Sequence, residues 1–218
     1  MSLKEQLAEY RAGWYQRVPA ERQAIMARHI EQLRGTIAKT MLKVGDRAPT
    51  IVLENAKGVI VDVGGLLGNG PVIVIFYRGG WCPYCNLELR AYQAMLPDFT
   101  AAGASLVAIS PEKPGDTVST AEKNALTFEV LSDIGHKVGR AFGLVYEFTE
   151  ELKRAYQGFN LDIPALNGTR DEWALPIAAT YVIDRDGSII HAYTDVDYRD
   201  RADPRDVLAV LTKKAVAA

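Results

Sequence analysis

Apolar residues near the start of the chain fall at steps of three and four: Leu3, Leu7, Tyr10 and Trp14, then Ile25, Met26, Ile30, Leu33, Ile37 and Met41. That spacing predicts two amphipathic helices. Val18-Pro19 separates them, and Pro19 suits the opening of the second. Such stripes suit packing on their own domain, with a subunit-interface arm as the alternative. Gly45-Asp46-Arg47-Ala48-Pro49 is a loop signal. The expected organisation is therefore a helical extension over 1–42 and one domain over 43–218.

The pattern changes after that loop. Ile51–Glu54 and Val59–Val63 read as short strands around the turn Asn55-Ala56-Lys57-Gly58. Val72–Tyr77 is a continuous apolar run, as expected of a strand covered on both faces. Pro83–Phe99 reads as one amphipathic helix with Leu87, Ala91, Met95 and Phe99 inward. Ser105–Ser110 is a second buried strand, so strand, helix and strand form a right-handed βαβ unit. Helical pieces are expected at Ser119–Leu126, Lys137–Phe142, Glu150–Gln157 and Asp206–Thr212, and a short strand at Glu129–Leu131. Gly158–Trp173 reads as a long loop. Ala178–Ile183 and Ser188–Tyr193 form a hairpin turning at Asp186-Gly187.

The formal net charge of the 218 residues is −2, which gives no basic field for nucleic acid or a membrane surface. No apolar run approaches the roughly 20 residues needed to span a bilayer, and the start lacks a secretory apolar stretch. A cytoplasmic location is expected. Thiols there stay reduced, which favours catalytic or metal-binding cysteines over structural disulfides.

The chain's two cysteines, Cys82 and Cys85, sit in one run, Phe76-Tyr77-Arg78-Gly79-Gly80-Trp81-Cys82-Pro83-Tyr84-Cys85. Pro83 suits the first helical position, which puts Cys82 at the N-cap and Cys85 in the first turn. Unpaired backbone N–H groups there favour a thiolate, and helix-start CxxC thiols titrate from about 7 down to ~3.5 against ~8.5 for a free thiol. The second sulfur is placed to close a disulfide on a mixed disulfide or a sulfenic acid. A structural zinc needs four ligands, and His29, His136 and His191 are scattered without ligand spacing. Two inert buried cysteines are the other competing reading.

The order of Val44-Gly45-Asp46-x-Ala48-Pro49, the run ending in Trp81-Cys82-Pro83-Tyr84-Cys85, Leu131-Ser132-Asp133 and Thr180-Tyr181-Val182-Ile183-Asp184-x-x-Gly187 resembles the peroxiredoxin-like branch (alkyl hydroperoxide reductase / thiol-specific antioxidant) of the thioredoxin superfamily. The resemblance implies a thioredoxin-like α/β fold, a mixed central sheet flanked by helices. It implies a thiol oxidoreductase cycling Cys82 and Cys85 between dithiol and disulfide. The substrate would be a hydroperoxide or a disulfide. Electrons would come from an external thiol such as a thioredoxin or glutathione system, without a bound cofactor. A homodimer is one expected assembly. A redox-sensing or partner-binding module without efficient turnover is the alternative.

This chain departs from the family pattern. Where peroxiredoxins carry Pro-x-x-x-Thr-x-x-Cys, it has Arg78 in place of Pro and Cys82 in place of Thr, with the attacking cysteine falling on Cys85. Ala178 stands where the family brings an Arg before the late strand. The thioredoxin pattern Trp-Cys-x-x-Cys makes Cys82 the attacker instead, so both assignments stay open. Arg78 is a candidate replacement cation, although an Arg beside Gly79-Gly80 is more often solvated. Trp81, Pro83 and Tyr84 are expected around the site, with Thr180 as a further supporting candidate. Glu88, Lys123 and Asn124 are weaker candidates, expected on solvated helix faces.

Overall fold

The computed structural model describes residues 1–217. Two helices open the chain, α1 (Leu3–Arg17) and α2 (Ala20–Gly35). Ser2 and Glu5 form a capping box at the start of α1: the Ser2 hydroxyl accepts from the Glu5 N–H, and the Glu5 carboxylate accepts from the Ser2 N–H. Then come β1 (Val52–Asn55), β2 (Ile60–Asp62), α3 (Val63–Leu67), β3 (Val72–Phe76), α4 (Pro83–Ala94), α5 (Leu96–Ala101), β4 (Ser105–Ser110), α6 (Pro114–Lys123) and β5 (Glu129–Ser132). The remainder is α7 (Lys137–Ala141), β6 (Val145–Glu147), α8 (Glu150–Gln157), α9 (Ile163–Asn167), β7 (Ala174–Pro176), β8 (Ala179–Ile183), β9 (Ile189–Thr194) and α10 (Pro204–Ala217).

The main sheet runs β2-β1-β5-β4-β3-β8-β9, and β6 pairs with β7 apart from it. β3 lies parallel to β4, and β4 to β5, whereas β8 and β9 are antiparallel additions. The sheet is therefore mixed and flanked by helices, as expected. Every residue of β3 is buried. Alternation divides it between two cores, Val72, Val74 and Phe76 on one face and Ile73, Ile75 and Tyr77 on the other. Leu3 and Leu7 of α1 join the second core, and Met26, Ile30 and Leu33 of α2 join the first. The extension thus packs on its own chain and straddles both faces of the sheet.

Three expectations about elements are corrected. The helix expected over Pro83–Phe99 breaks at Met95, where Pro97 in the first turn of α5 cannot supply an N–H to the preceding turn. Its inward face is also not the expected stripe: Tyr84, Cys85, Glu88, Leu89 and Tyr92 are buried, while Leu87 and Ala91 are only partly so. The expected loop over 158–173 holds α9, capped by the Asp162 carboxylate and closed by Gly168 at φ 68°.

Candidate active site

The site forms where β3 ends and α4 begins. The Tyr77 N–H still donates to the Ile109 carbonyl of β4 at 2.9 Å, and the chain then turns through Gly79 and Gly80. Gly79 has φ +142°, and a Cβ there would meet Trp81 Nε1 at 2.3 Å and Glu112 Oε1 at 2.9 Å. The turn is tied down from outside. The Gly80 N–H donates to Glu112 Oε2 at 2.9 Å, and Asn86 Nδ2 donates to the Gly80 carbonyl at 2.8 Å. Asn124 in turn donates to Asn86 at 2.9 Å.

Cys82 is the N-cap of α4 and Pro83 its first residue, as expected. Cys85 follows in the first turn. Both are free thiols with almost no exposed surface, 1% for Cys82 and 0% for Cys85. Cys82 nevertheless lines a chamber of about 340 Å³ together with Arg78, Trp81, Pro83 and Tyr84. Inert burial in apolar surroundings does not describe it, because two arginines face the sulfurs.

Arg78 is 2% exposed, which overturns the solvated reading. Its Nη1 donates to Cys82 Sγ at 3.6 Å, and its Nη2 donates to the Tyr156 hydroxyl. The guanidinium lies 4.1 Å from the Tyr198 ring centre and 5.0 Å from that of Trp81. Among the described residues no carboxylate forms an ion pair with Arg78; the nearby pairs are Arg199–Asp197 and Arg201–Glu88. A buried cation without a carboxylate needs another anion, and the one in reach is the Cys82 thiolate.

Arg201 faces the second sulfur. Its Nη2 donates to Cys85 Sγ at 3.4 Å and to the Tyr198 carbonyl at 2.6 Å. Its Nη1 donates to Glu88 Oε2, and Glu88 Oε1 accepts from the Thr180 hydroxyl at 3.4 Å. Glu88 is fully buried, so the solvated reading fails for it as well. Asn124 is likewise buried, while Lys123 is exposed. Thr180 touches Glu88 rather than a thiol, so it backs the site at one remove. Ala178 brings no cation; the one that reaches Cys85 is Arg201, from the segment after β9. It lies 116 residues from Cys85 in sequence, and no local signal marks it.

The two thiols are polarised in opposite directions. Burial pushes Cys82 up, but the Cys85 thiol's hydrogen bond and the charges of Arg78 and Arg201 outweigh it and bring Cys82 down to about 5. Cys85 goes well above the ordinary thiol range, through burial and then through its bond to Cys82 and the charge there. Glu88 is raised to about 7 by burial, against the pull of Arg201. The arrangement is one thiolate at a chamber, one protonated thiol behind it, and a carboxylate on the far side of Arg201. Among the described residues no three His, Cys, Asp or Glu side chains are grouped to hold a metal ion.

The comparisons with known proteins bear on the family rather than on this geometry. The AhpC/TSA family pattern matches residues 44–192. The chain belongs to the AhpC/TSA family. It is a peroxiredoxin-like, thiol-dependent oxidoreductase. It is 32% identical over 157 residues to Rv2521 of Mycobacterium tuberculosis, which bears a provisional peroxiredoxin name, covering 72% of this chain and 88% of that one. With peroxiredoxin Bcp of Escherichia coli it shares 29% identity over 154 residues, 71% of this chain and 86% of Bcp. The solved structure of peroxidoxin BcpB from Mycobacterium tuberculosis superposes with a TM-score of 0.63 at 22% identity, over 79% of this chain and 97% of BcpB. That likeness carries the thioredoxin-like fold. Helices α1 and α2, Tyr198 and Arg201 all lie outside the span matched to AhpC/TSA. Among the described residues no helix is long and apolar enough to cross a membrane.

Proposed function

We propose that this AhpC/TSA protein reduces hydroperoxides, with Cys82 as the attacking thiolate, Cys85 as the resolving thiol and an external thiol of the thioredoxin or glutathione kind as electron donor. The observation that carries this reading is the asymmetry of the pair: Cys82 titrates at about 5, lines a chamber and faces Arg78, while Cys85 is buried behind it as a thiol. The peroxiredoxin names of the relatives support the substrate class.

In the first step the Cys82 thiolate attacks the outer oxygen of R–O–O–H. The S–O bond forms as the O–O bond breaks, and the departing RO⁻ takes a proton from solvent to leave as ROH. Cys82 is oxidised to the sulfenic acid. Arg78 lies where negative charge spreads from sulfur to oxygen, a placement worth about 10²–10³ in rate for a comparable donor.

Loss of the Cys82 anion then changes Cys85. The charge and hydrogen bond that held it as a thiol are gone, while Arg201 remains 3.4 Å from its sulfur. Cys85 becomes more acidic only after its partner is oxidised, and Glu88, near neutrality and three residues beyond it on the same helix, is the group we assign to receive its proton, while Arg201 keeps its own protons and stabilises the thiolate. Cys85 attacks the Cys82 sulfur, the S–S bond forms, and the hydroxyl leaves with that proton as water. Two equivalents of external thiol regenerate the dithiol and become a disulfide.

The test is rapid mixing of reduced wild type, Cys82→Ser and Cys85→Ser with hydroperoxide. Cys85→Ser should consume one equivalent and stop at a sulfenic acid, read as a dimedone adduct by mass spectrometry, and Cys82→Ser should consume none. The reverse result, with Cys82→Ser retaining the fast phase, would make Cys85 the attacker.

A further inference from the structure

The chamber before Cys82 is far larger than hydrogen peroxide needs: about 340 Å³, against the ~30 Å³ that one water molecule occupies in the liquid. Most of what lines it is apolar or aromatic, and much comes from outside the span matched to AhpC/TSA. Tyr10 and Trp14 come from α1 and Met26 from α2, and Phe159 and Leu161 line the same chamber. Leu3 and Leu7 anchor α1 in the core one and two turns before Tyr10, and the Tyr10 ring meets Tyr84 edge-on at 5.0 Å. The rings on α1 are therefore held in place in front of the reactive sulfur.

We propose that α1 and the start of α2 form a specificity wall, with Trp14 and Tyr10 binding the organic body of a hydroperoxide that bears a bulky apolar group. The O–O bond sits at Cys82 and Arg78, and the carbon body occupies the aromatic chamber. A pocket of several hundred Å³ with mostly apolar walls and a few charged groups is the usual form of a small-molecule site; here the charged groups are Arg78 at the sulfur and Arg17 at the end of α1. The inference rests on the peroxidase reading and goes beyond it, because the selecting residues belong to the extension rather than to the shared fold.

The experiment compares single-turnover oxidation of the reduced protein by cumene hydroperoxide and by hydrogen peroxide in wild type, Trp14→Ala, Trp14→Phe and Glu9→Ala. Glu9 is exposed on α1 and does not line the chamber. Wild type should favour cumene hydroperoxide. Trp14→Ala should lower the ratio of the two second-order rate constants about tenfold or more, Trp14→Phe should recover most of it, and Glu9→Ala should keep the wild-type ratio. Circular dichroism verifies the fold, and Tyr10→Leu replaces Trp14→Ala should the latter not fold. An equal ratio in wild type and Trp14→Ala, with both substrates consumed, overturns the wall and leaves the peroxidase reading standing. If wild type consumes neither, that reading fails, and calorimetry with cumyl alcohol on Cys82→Ser decides the wall separately. Saturable binding weakened by Trp14→Ala supports it, and no binding overturns it.

Discussion

Cys82 and Cys85 share one helical turn and one degree of burial, yet one is held as a thiolate and the other as a thiol. Helix position alone would favour the anion at both. The difference lies first in the hydrogen bond between the two thiols, which favours the anion at Cys82 and the thiol at Cys85, and then in what each guanidinium already holds. Among the described residues Arg78 pairs with no carboxylate, so its charge is available to Cys82, whereas Arg201 is committed to Glu88 and offers Cys85 only part of its field. Burial makes both sulfurs sensitive to such neighbours, because low dielectric strengthens every nearby charge. The reactivity of the pair is therefore set jointly by Arg78, four residues before Cys82, and by Arg201, 116 residues from Cys85.

The comparison breaks most severely at Glu88. Replacing it with Leu leaves Arg201 buried and uncompensated, and should cost about 3–5 kcal/mol of stability, read from the urea midpoint. Glu88→Leu combined with Arg201→Met should recover much of that. Glu88→Gln, whose oxygen can still accept from Arg201 while its amide donates to the Thr180 hydroxyl, should be milder in stability yet slow disulfide closure after oxidation. Closure at the wild-type rate would remove Glu88 from the proton path.

A smaller effect sharpens the other half. Arg78→Met keeps a long side chain but removes the cation, and should raise the Cys82 pKa by about two units, followed by thiolate ultraviolet absorbance. In wild type the oxidation rate should rise with pH through about 5 and then level off. The same titration bears on stability. The folded value of Cys82 lies below its unfolded value near ~8.5, so its contribution is complete above the unfolded value and is lost as pH falls toward about 5. Cys82→Ser should flatten that slope. An unshifted midpoint in Arg78→Met would assign the thiolate to the Cys85 hydrogen bond and Arg201 instead.

The least effect is expected at Glu112, raised to about 7 mainly by burial while accepting the Gly80 N–H. A raised folded value means that its favourable contribution is present in acid and is lost as pH rises through about 7. Glu112→Gln keeps an acceptor without the charge. It should stabilise the protein by about 1 kcal/mol at alkaline pH and by less in acid, measured by denaturant unfolding at both.

Much of the scaffold was legible in sequence because its signals are local. The unbroken apolar run of β3, the Asp186-Gly187 turn and Pro83 after Cys82 each depend on a few adjacent residues. The charged half of the site was not legible. Arg78 and Glu88 look like surface residues because polarity normally means exposure, and only partners such as Tyr156, Tyr198 and Arg201, distant in the chain, reverse that. The inward stripe of α4 was misread for the same reason, since Glu88 broke the apolar pattern at a position the fold buries. The β6–β7 pair escaped because its two short strands are joined by neither a turn signal nor strong alternation.

The boundary of the span matched to the family is not the boundary of the chemistry. Transplanting residues 44–192 into another thioredoxin-like scaffold would carry both sulfurs and Arg78, but would leave Arg201, Tyr198 and the aromatic face of the N-terminal helix behind. Such a chimera would inherit the attacking group stripped of the apparatus that times its partner and chooses its guests.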